Sequence, residues 1–264
     1  MKLKARIYPV WDPWGGNPPE FEDVYTSISI DRLDFDKSAD KKILYLAEPF
    51  EILPAIKKKA LTNGDNFDII YTTDQDIIDK YKQAILFEFG TSWLDFTTLN
   101  ITKKNHITFI TSSKSITAGH RLRKQTYNML KDRTCYNNFI YIAHKSPPYH
   151  SNRNDFFETS MFHIAIENCS QRNFFSEKLI DCFASKTIPI YYGCPNLEDW
   201  FDMSAVITFS NIRELKIILD KLDQTFYTSR QQAINHNYEY AKKFHSQNDI
   251  VERLTNRIAM DIYI

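Results

Sequence analysis

A series of short apolar runs, many of them apolar on successive residues, constrains this chain most. They are Ala5–Val10, Ile43–Leu46, Phe67–Tyr71, Ala84–Glu88, His106–Thr111, Asn138–Ala143, Phe162–Glu167, Thr187–Tyr192 and Ala205–Phe209. Ile, Phe, Tyr and Val dominate them, as in strands. A strand that is apolar on both faces belongs in a parallel sheet covered on both sides. The stretches between are patterned as helices. Glu51–Leu61 carries Pro54 in its first turn, and Asp74–Gln83 follows Thr73 with Asp76 in a capping arrangement. Leu122–Leu130 and Glu177–Ser185 come next, then Ile212–Leu222 behind Asn211 and Glu214. From about Ser229 to Ile264 the pattern predicts two helices broken near His245–Gln247. Such alternation predicts an α/β architecture with right-handed crossovers.

The length of 264 residues suits about two domains. The polar segment Asp95–Asn105 lacks helical periodicity and reads as a linker. It predicts an N-terminal α/β domain over residues 1–100 and a C-terminal one over 101–264 that ends in closing helices. No internal repeat or low-complexity tract is visible.

Composition removes several function classes. Apolar residues at 43% are too many for a disordered chain. Basic and acidic residues balance at 33 each, which disfavours a protein holding nucleic acid by counterion release. The six glycines form neither a GxGxxG nor a GxxxxGK[ST] loop, so dinucleotide fingerprints and P-loops are excluded. Cys135, Cys169, Cys182 and Cys194 contain no CxxC pair and read as buried thiols. No apolar stretch is long enough for a membrane span, and the N-terminus lacks the core of a signal peptide. The expectation is a cytoplasmic protein, bacterial or made inside a host cell.

The segment from Phe162 to Pro195 carries the most chemistry. A buried strand ends in Glu167 and Asn168, and ligands of open α/β sheets collect at such carboxyl ends. A polar loop follows, then a helix starting near Ser176 with Glu177 and Lys178 in its first turn. A lysine there faces the positive end of the helix dipole, an arrangement that makes sense beside a bound anion. Glu177 could then accept hydrogen bonds from sugar hydroxyls. A solvated surface pair is the other reading of these two residues. Pro189 should place the next strand at a sheet edge or end, and Gly193 permits close backbone approach behind it. Upstream, Lys114, His120, Arg121 and Arg123 gather near the end of another strand. Such donors serve a pyrophosphate where no glycine loop exists. A basic solvated helix start is the alternative, and His120 alone reads first as a structural residue.

EN, a loop and then FFSEKLIDCFASKTIPIYYGCP resembles the C-terminal signature of the α-1,3-fucosyltransferases of glycosyltransferase family ten. That signature runs F-x-x-x-x-E-N, a gap, Y-x-T-E-K-(L/I), then (V/I)-P-(V/I)-x-x-G. It meets Phe162, Glu167, Asn168, Glu177, Lys178, Leu179, Ile188, Pro189, Ile190 and Gly193 here. LAEPFEILP, FDIIYTTDQDI and SSKSITAGHRLR look like upstream parts of the same pattern, as in a small bacterial or viral member. The resemblance implies a GT-B-type fold of two Rossmann-like domains, the first on the acceptor side and the second binding the nucleotide sugar. It implies inverting transfer of a sugar, usually fucose from GDP-fucose, to a glycan hydroxyl. Glu177 would hold the ribose, and Lys178 and Arg123 the pyrophosphate with Lys114 nearby. Glu167, Asn168, Ser176 and Gly193 would line the donor pocket. Phe174 stands where the family has tyrosine, and Ser176 where it has threonine. Family members are stimulated to varying degrees by divalent metal, yet the triplets Asp34–Asp36 and Asp74–Asp76 lie away from the donor segment, so no metal ligand is assigned. Inversion requires a carboxylate base, for which Glu48 at the family's acidic position comes first and Glu88 second; Asp95 is a further carboxylate near these strand ends.

The acceptor is expected near Trp11–Tyr25, where Trp11 and Trp14 offer flat faces for sugar C–H groups; packing of Trp on Pro is the alternative. Three functions remain open: a fucosyltransferase-like enzyme, a related enzyme with another nucleotide sugar or a non-glycan acceptor such as a modified nucleobase, and a noncatalytic nucleotide-sugar-binding module.

Overall fold

The computed structural model describes residues 1–131, 139–144, 153–245 and 247–263. The chain divides into two compact units. Unit 1 comprises Met1–Phe89, Gln171–Phe174 and Asn248–Ile264, and unit 2 comprises Gly90–Ser170 and Phe175–Gln247. The expected boundary at 100/101 therefore falls inside unit 2. The C-terminal stretch is shared, because its last segment belongs to unit 1.

Unit 1 contains β1 (Lys2–Lys4), β2 (Arg6–Pro9), β3 (Glu20–Glu22), β4 (Thr26–Ile30), β5 (Lys41–Leu46), β6 (Ile69–Thr72) and β7 (Ala84–Leu86). β1 and β3 form a small antiparallel pair. The other five form a parallel sheet in the order β2-β4-β5-β6-β7. Two helices, α1 (Pro54–Asn63) and α2 (Gln75–Lys80), connect its strands. Alternation along the strands separates the two faces. Leu44, Leu46 and Ile70 pack with Ala60 of α1 and Ile77 of α2, whereas Ile43, Tyr45, Ile69 and Tyr71 face the opposite layer. Asp74, not Thr73, caps α2, by accepting from Ile77 N.

The interior strand β4 has no counterpart among the expected strands. Its sequence, TSISI, shows only two large apolar side chains, Ile28 and Ile30, yet all five residues are buried. The serine side chains are satisfied locally: Ser29 Oγ donates to the Asp34 carbonyl at 2.5 Å, and Ser27 Oγ accepts from Asp36 N at 3.0 Å. A loop that takes the hydroxyls lets a half-polar strand occupy the sheet interior.

Unit 2 contains β8 (Lys104–Thr111), α3 (Ala118–Leu130), β9 (Phe139–His144), α4 (Arg153–Thr159), β10 (Ser160–Ile166), α5 (Glu177–Ala184), β11 (Ile188–Tyr192), β12 (Ile207–Thr208), α6 (Ile212–Lys221), α7 (Gln224–Thr228) and α8 (Gln231–Ala241). Its sheet is parallel, in the order β12-β11-β10-β8-β9. The expected start of the β9 strand at Asn138, and Cys135, lie outside the described residues. β11 is an interior strand despite Pro189. β12 pairs only with Ile190 and Tyr191, so Pro189 lies outside that ladder and its missing N–H costs no hydrogen bond there. On one face Ile107, Phe109, Ile164 and Ile190 pack with Leu122 of α3 and Leu215 of α6. On the other, Ala165 and Tyr191 pack with Leu179, Ile180 and Phe183 of α5.

The last helix, α9 (Gln247–Asp261), brings Ile250, Leu254 and Ile258 into the core of unit 1 with Ile28, Tyr45 and Tyr71. The expected break near His245–Gln247 is thus where the chain passes from one unit to the other. Among the described residues no helix is long and apolar enough to cross a membrane.

Candidate functional site

The carboxyl ends of the adjacent strands β8, β10 and β11 bring the sequence-predicted residues of unit 2 together. β10 runs directly into Glu167 and Asn168. Glu167 is fully buried, and its carboxylate accepts from Ser176 N at 2.8 Å and Ser176 Oγ at 2.7 Å. Ser176 is the N-cap of α5. The fixed carboxylate therefore sets where that helix begins. Lys178 Nζ turns back over the helix start, 3.1 Å from Ser176 Oγ, 2.9 Å from Glu177 Oε1 and 3.6 Å from Glu167 Oε2. Its side chain keeps 22% of its surface open.

The electrostatics of the cluster follow from burial and pairing. Burial pushes the Lys178 pKa down, but Glu177 and Glu167 more than reverse this and hold it above the usual lysine value. Burial raises the pKa of Glu167, Lys178 lowers it, and the net shift is upward. Burial also lowers the Arg123 pKa, against the pull of Glu167 and Glu177.

Arg123 comes from α3, whose N-terminus is fixed by a capping box between Thr117 and His120. The sequence pattern T-x-x-H carries that signal, with histidine where Glu or Gln usually stands. Arg123 Nη2 donates to Asn168 Oδ1. Its Nε is buried and has no hydrogen-bond partner among the described residues. A buried guanidinium N–H without an acceptor is costly and marks a place where an anionic oxygen fits. Lys114, exposed on the loop before α3, acts electrostatically on His120 together with Arg123 and Lys178. Three cations thus converge on the α3 and α5 N-termini, as a diphosphate requires.

Two glycines make this approach possible. A Cβ on Gly119 would lie 1.8 Å from the Glu167 carbonyl oxygen, and Gly119 N donates to the Asn168 carbonyl at 3.0 Å. Gly193 was expected in the donor pocket. Its bare Cα lies against Tyr191 and Glu167, where a Cβ would come within 2.2 Å and 2.6 Å.

Phe174 belongs to unit 1, is buried, and stacks on Phe89 with ring centroids 5.5 Å apart. Its neighbours in unit 1 are held by polar contacts. Gln171 accepts from Phe50 N at 3.2 Å and donates to Thr73 Oγ1 at 3.1 Å, and Asn173 donates to Gln75 Oε1 at 3.0 Å.

Glu48 and Glu88, the sequence-predicted bases, are half-buried beyond the ends of β5 and β7 in unit 1. Beside Glu48 lies a carboxylate that sequence reasoning passed over. Asp31 is 1% exposed, sits at φ 52°, and accepts from Ala47 N at 2.9 Å, Glu48 N at 3.2 Å and Trp11 Nε1 at 3.2 Å. Burial raises its pKa above the usual carboxylate value. Tyr45, whose hydroxyl has no partner among the described residues, lies within electrostatic reach of Asp31, Glu48 and Arg253, and Arg253 donates to the Glu88 carbonyl at 3.1 Å. The Trp11 and Trp14 faces pack against the unit 1 core, and Trp14 Nε1 donates to Thr255 Oγ1 at 3.0 Å. These contacts give the two tryptophans a packing role.

Among the described residues no group of three or more His, Cys, Asp and Glu side chains is arranged to hold a metal ion. Asp74 and Asp76 both pair with Lys57 at 2.7 Å, and Asp36 pairs with Arg6 at 3.0 Å.

Residues 101–260 match the family description "Glycosyltransferase family 10 (fucosyltransferase) C-term". The chain belongs to glycosyltransferase family 10. This family 10 glycosyltransferase is 32% identical over 96 residues to a GDP-fucose protein O-fucosyltransferase 3 of Xenopus laevis, covering 31% of this chain and 20% of that one. It is 32% identical over 76 residues to an alpha-(1,3)-fucosyltransferase, FucT, of Helicobacter pylori, covering 29% of this chain and 15% of that one. The matched stretches are therefore a fifth or less of these relatives' own lengths. A crystal structure of an alpha1,3-fucosyltransferase with GDP aligns at a TM-score of 0.53 and 15% identity, covering 98% of this chain and 90% of that chain. That likeness establishes the fold of the family 10 chain as GT-B, with parallel-sheet α/β units.

Proposed function

We propose that this chain is an inverting glycosyltransferase that transfers fucose from GDP-fucose to a hydroxyl of a glycan. Family membership supports sugar transfer. The observation that carries the donor is the buried Arg123 Nε, which has no acceptor among the described residues, beside Asn168 and in the same charge cluster as Lys178. Arg123, Lys178 and Lys114 take the charge that develops on the leaving diphosphate, the term that preorganised cations stabilise most. Glu177 accepts from the ribose hydroxyls. Glu167, Ser176, Asn168 and Gly193 shape the wall of that pocket rather than react. Glu48 removes the proton of the acceptor hydroxyl as the glycosidic carbon is attacked from the face opposite the diphosphate. The Asp31 carboxylate supports this assignment by fixing the Glu48 backbone; Glu88 is the second choice. No resident metal is needed by this scheme, and divalent ions would act only as a stimulus.

The setting we propose is cytoplasmic. The described cysteines Cys169, Cys182 and Cys194 are buried thiols, in keeping with a reducing compartment.

A thermal-shift series with GDP, UDP and their sugars tests the donor, because a ligand that binds only the folded state raises the melting temperature. GDP and GDP-fucose should give the largest rise, and Lys178→Ala and Arg123→Ala should remove it. Equal rises in wild type and both variants would take these residues out of the donor site. Mass measurement of candidate glycans after incubation with GDP-fucose then reads the transfer; a larger product with another nucleotide sugar alone would reassign the donor.

A further inference from the structure

His120 is 3% exposed and forms part of the capping box, which accounts for one ring nitrogen only. Thr117 N donates to Nδ1 at 3.3 Å, and Thr117 Oγ1 lies 2.5 Å from the same atom. With a backbone N–H aimed at Nδ1, the neutral ring carries its hydrogen on Nε2. Among the described residues Nε2 has no hydrogen-bond partner. The ring therefore presents an unused N–H donor beside the cations already described.

The charges around it are uneven. Lys114 from the preceding loop, Arg123 from its own helix and Lys178 from α5 all act on the ring, and burial adds to their effect. Burial, Arg123, Lys114 and Lys178 together push its pKa down to about 4, so the ring is neutral near pH 7. The carboxylates facing the same cluster, Glu167 and Glu177, pair with Lys178. An anion placed among the three cations offsets their positive field at the ring. Thr117 Oγ1 can follow that change, donating to Nδ1 of the neutral ring and accepting from Nδ1–H of the charged one, while Thr117 N gives up its bond to Nδ1.

We propose that His120 is a fourth anion-contacting group of the donor site and that it takes up a proton from solvent when a nucleoside diphosphate sugar binds. This rests on the donor reading above. Nε2–H donates to a phosphate oxygen in both states, and the added proton resides on Nδ1. Donor binding then strengthens as pH falls below neutrality, as linkage requires.

Calorimetric titration of GDP-fucose at about pH 6, in buffers of different ionisation enthalpy, reads the proton directly. A diphosphate diester brings no titrating proton of its own in this range. Wild type should take up a large fraction of a proton per nucleotide. His120→Gln keeps an acceptor for Thr117 N and an N–H donor, yet cannot be protonated. It should bind GDP-fucose within about threefold of wild type at pH 8 with no proton uptake at pH 6. Equal uptake in wild type and His120→Gln would overturn the proposal. A second measurement needs no variant: the titration midpoint of the His120 ring resonances should rise by about a hundredfold change in proton concentration on adding GDP-fucose, enough to half-protonate the ring near pH 6. An unchanged midpoint with the nucleotide bound would also overturn it. Unaltered GDP-fucose affinity in Lys178→Ala has a different meaning, since it would overturn the donor reading on which the proposal stands.

Discussion

Ser176 gives both its backbone N–H and its hydroxyl to the fully buried Glu167 carboxylate, at 2.8 Å and 2.7 Å. One acid at the end of β10 thus fixes the first turn of α5, and through it Lys178. Glu167→Gln removes the charge and one matched acceptor. The expected result is a stability loss of about 1–3 kcal/mol, measured by chemical denaturation. Nucleotide affinity should fall as well. An affinity equal to wild type would show that Lys178 is held without Glu167.

Gly119 has no room for a side chain, because its Cβ would lie 1.8 Å from the Glu167 carbonyl oxygen. Gly119→Ala must push α3 away from the end of β10. A stability loss of about 1–3 kcal/mol or more is expected, with a loss of the GDP-induced rise in melting temperature. A folded variant with an unchanged GDP response would mean that the α3 N-terminus is not part of the donor site.

Glu48→Gln should leave GDP binding intact and lower turnover by about 10²–10⁴-fold, the usual worth of a positioned base. Asp31→Asn should lower turnover through the Glu48 backbone while leaving donor affinity alone. Steady-state kinetics with GDP-fucose and a glycan acceptor checks both. Undiminished turnover in Glu48→Gln moves the role to Glu88, and Glu88→Gln is then the variant to measure.

Lys103, just before β8, donates to the Phe157 and Ser160 carbonyls and to Thr187 Oγ1, at 2.5, 2.8 and 2.8 Å. Burial brings its pKa down to about 7 from the ordinary lysine value. Between that pH and the unfolded value near 10.5, the unfolded chain binds more protons than the folded one. Stability contributed by this group should therefore rise with pH across the window and level off below it. Lys103→Met should remove that slope and destabilise the protein by about 3 kcal/mol, since it strands buried acceptors. Denaturation midpoints at several pH values read both effects; parallel pH profiles would place the titration elsewhere.

Much of this molecule was legible where side-chain pattern and local geometry agree. Continuous apolar runs marked β5, β6, β10 and β11, and Ser176-Glu177-Lys178 announced the α5 N-terminus. β4 was hidden because its buried serines are satisfied by a loop several residues away in sequence. Pro189 misled for a related reason: its cost depends on how far β12 extends, which no local rule states. The cations Lys114, Arg123 and Lys178 could be read from charge near strand ends. Asp31 could not, since a carboxylate folded back on Ala47 N and Glu48 N shows itself only once β4 and β5 are paired. That the segment Gln171–Phe174 folds with unit 1 is not announced by its neighbours in sequence. His120 gave a faint signal, a histidine at the position that completes a cap.

The passage of α9 into the core of unit 1 also orders events during synthesis. Residues that emerge first from the ribosome cannot bury Ile28, Tyr45 and Tyr71 until Ile250, Leu254 and Ile258 arrive much later. The nascent front half must therefore wait with a greasy sheet face uncovered, a natural client for a chaperone. Separating the gene into halves at the middle would yield an N-terminal fragment prone to clump, even though all five strands of the unit 1 parallel sheet are encoded there.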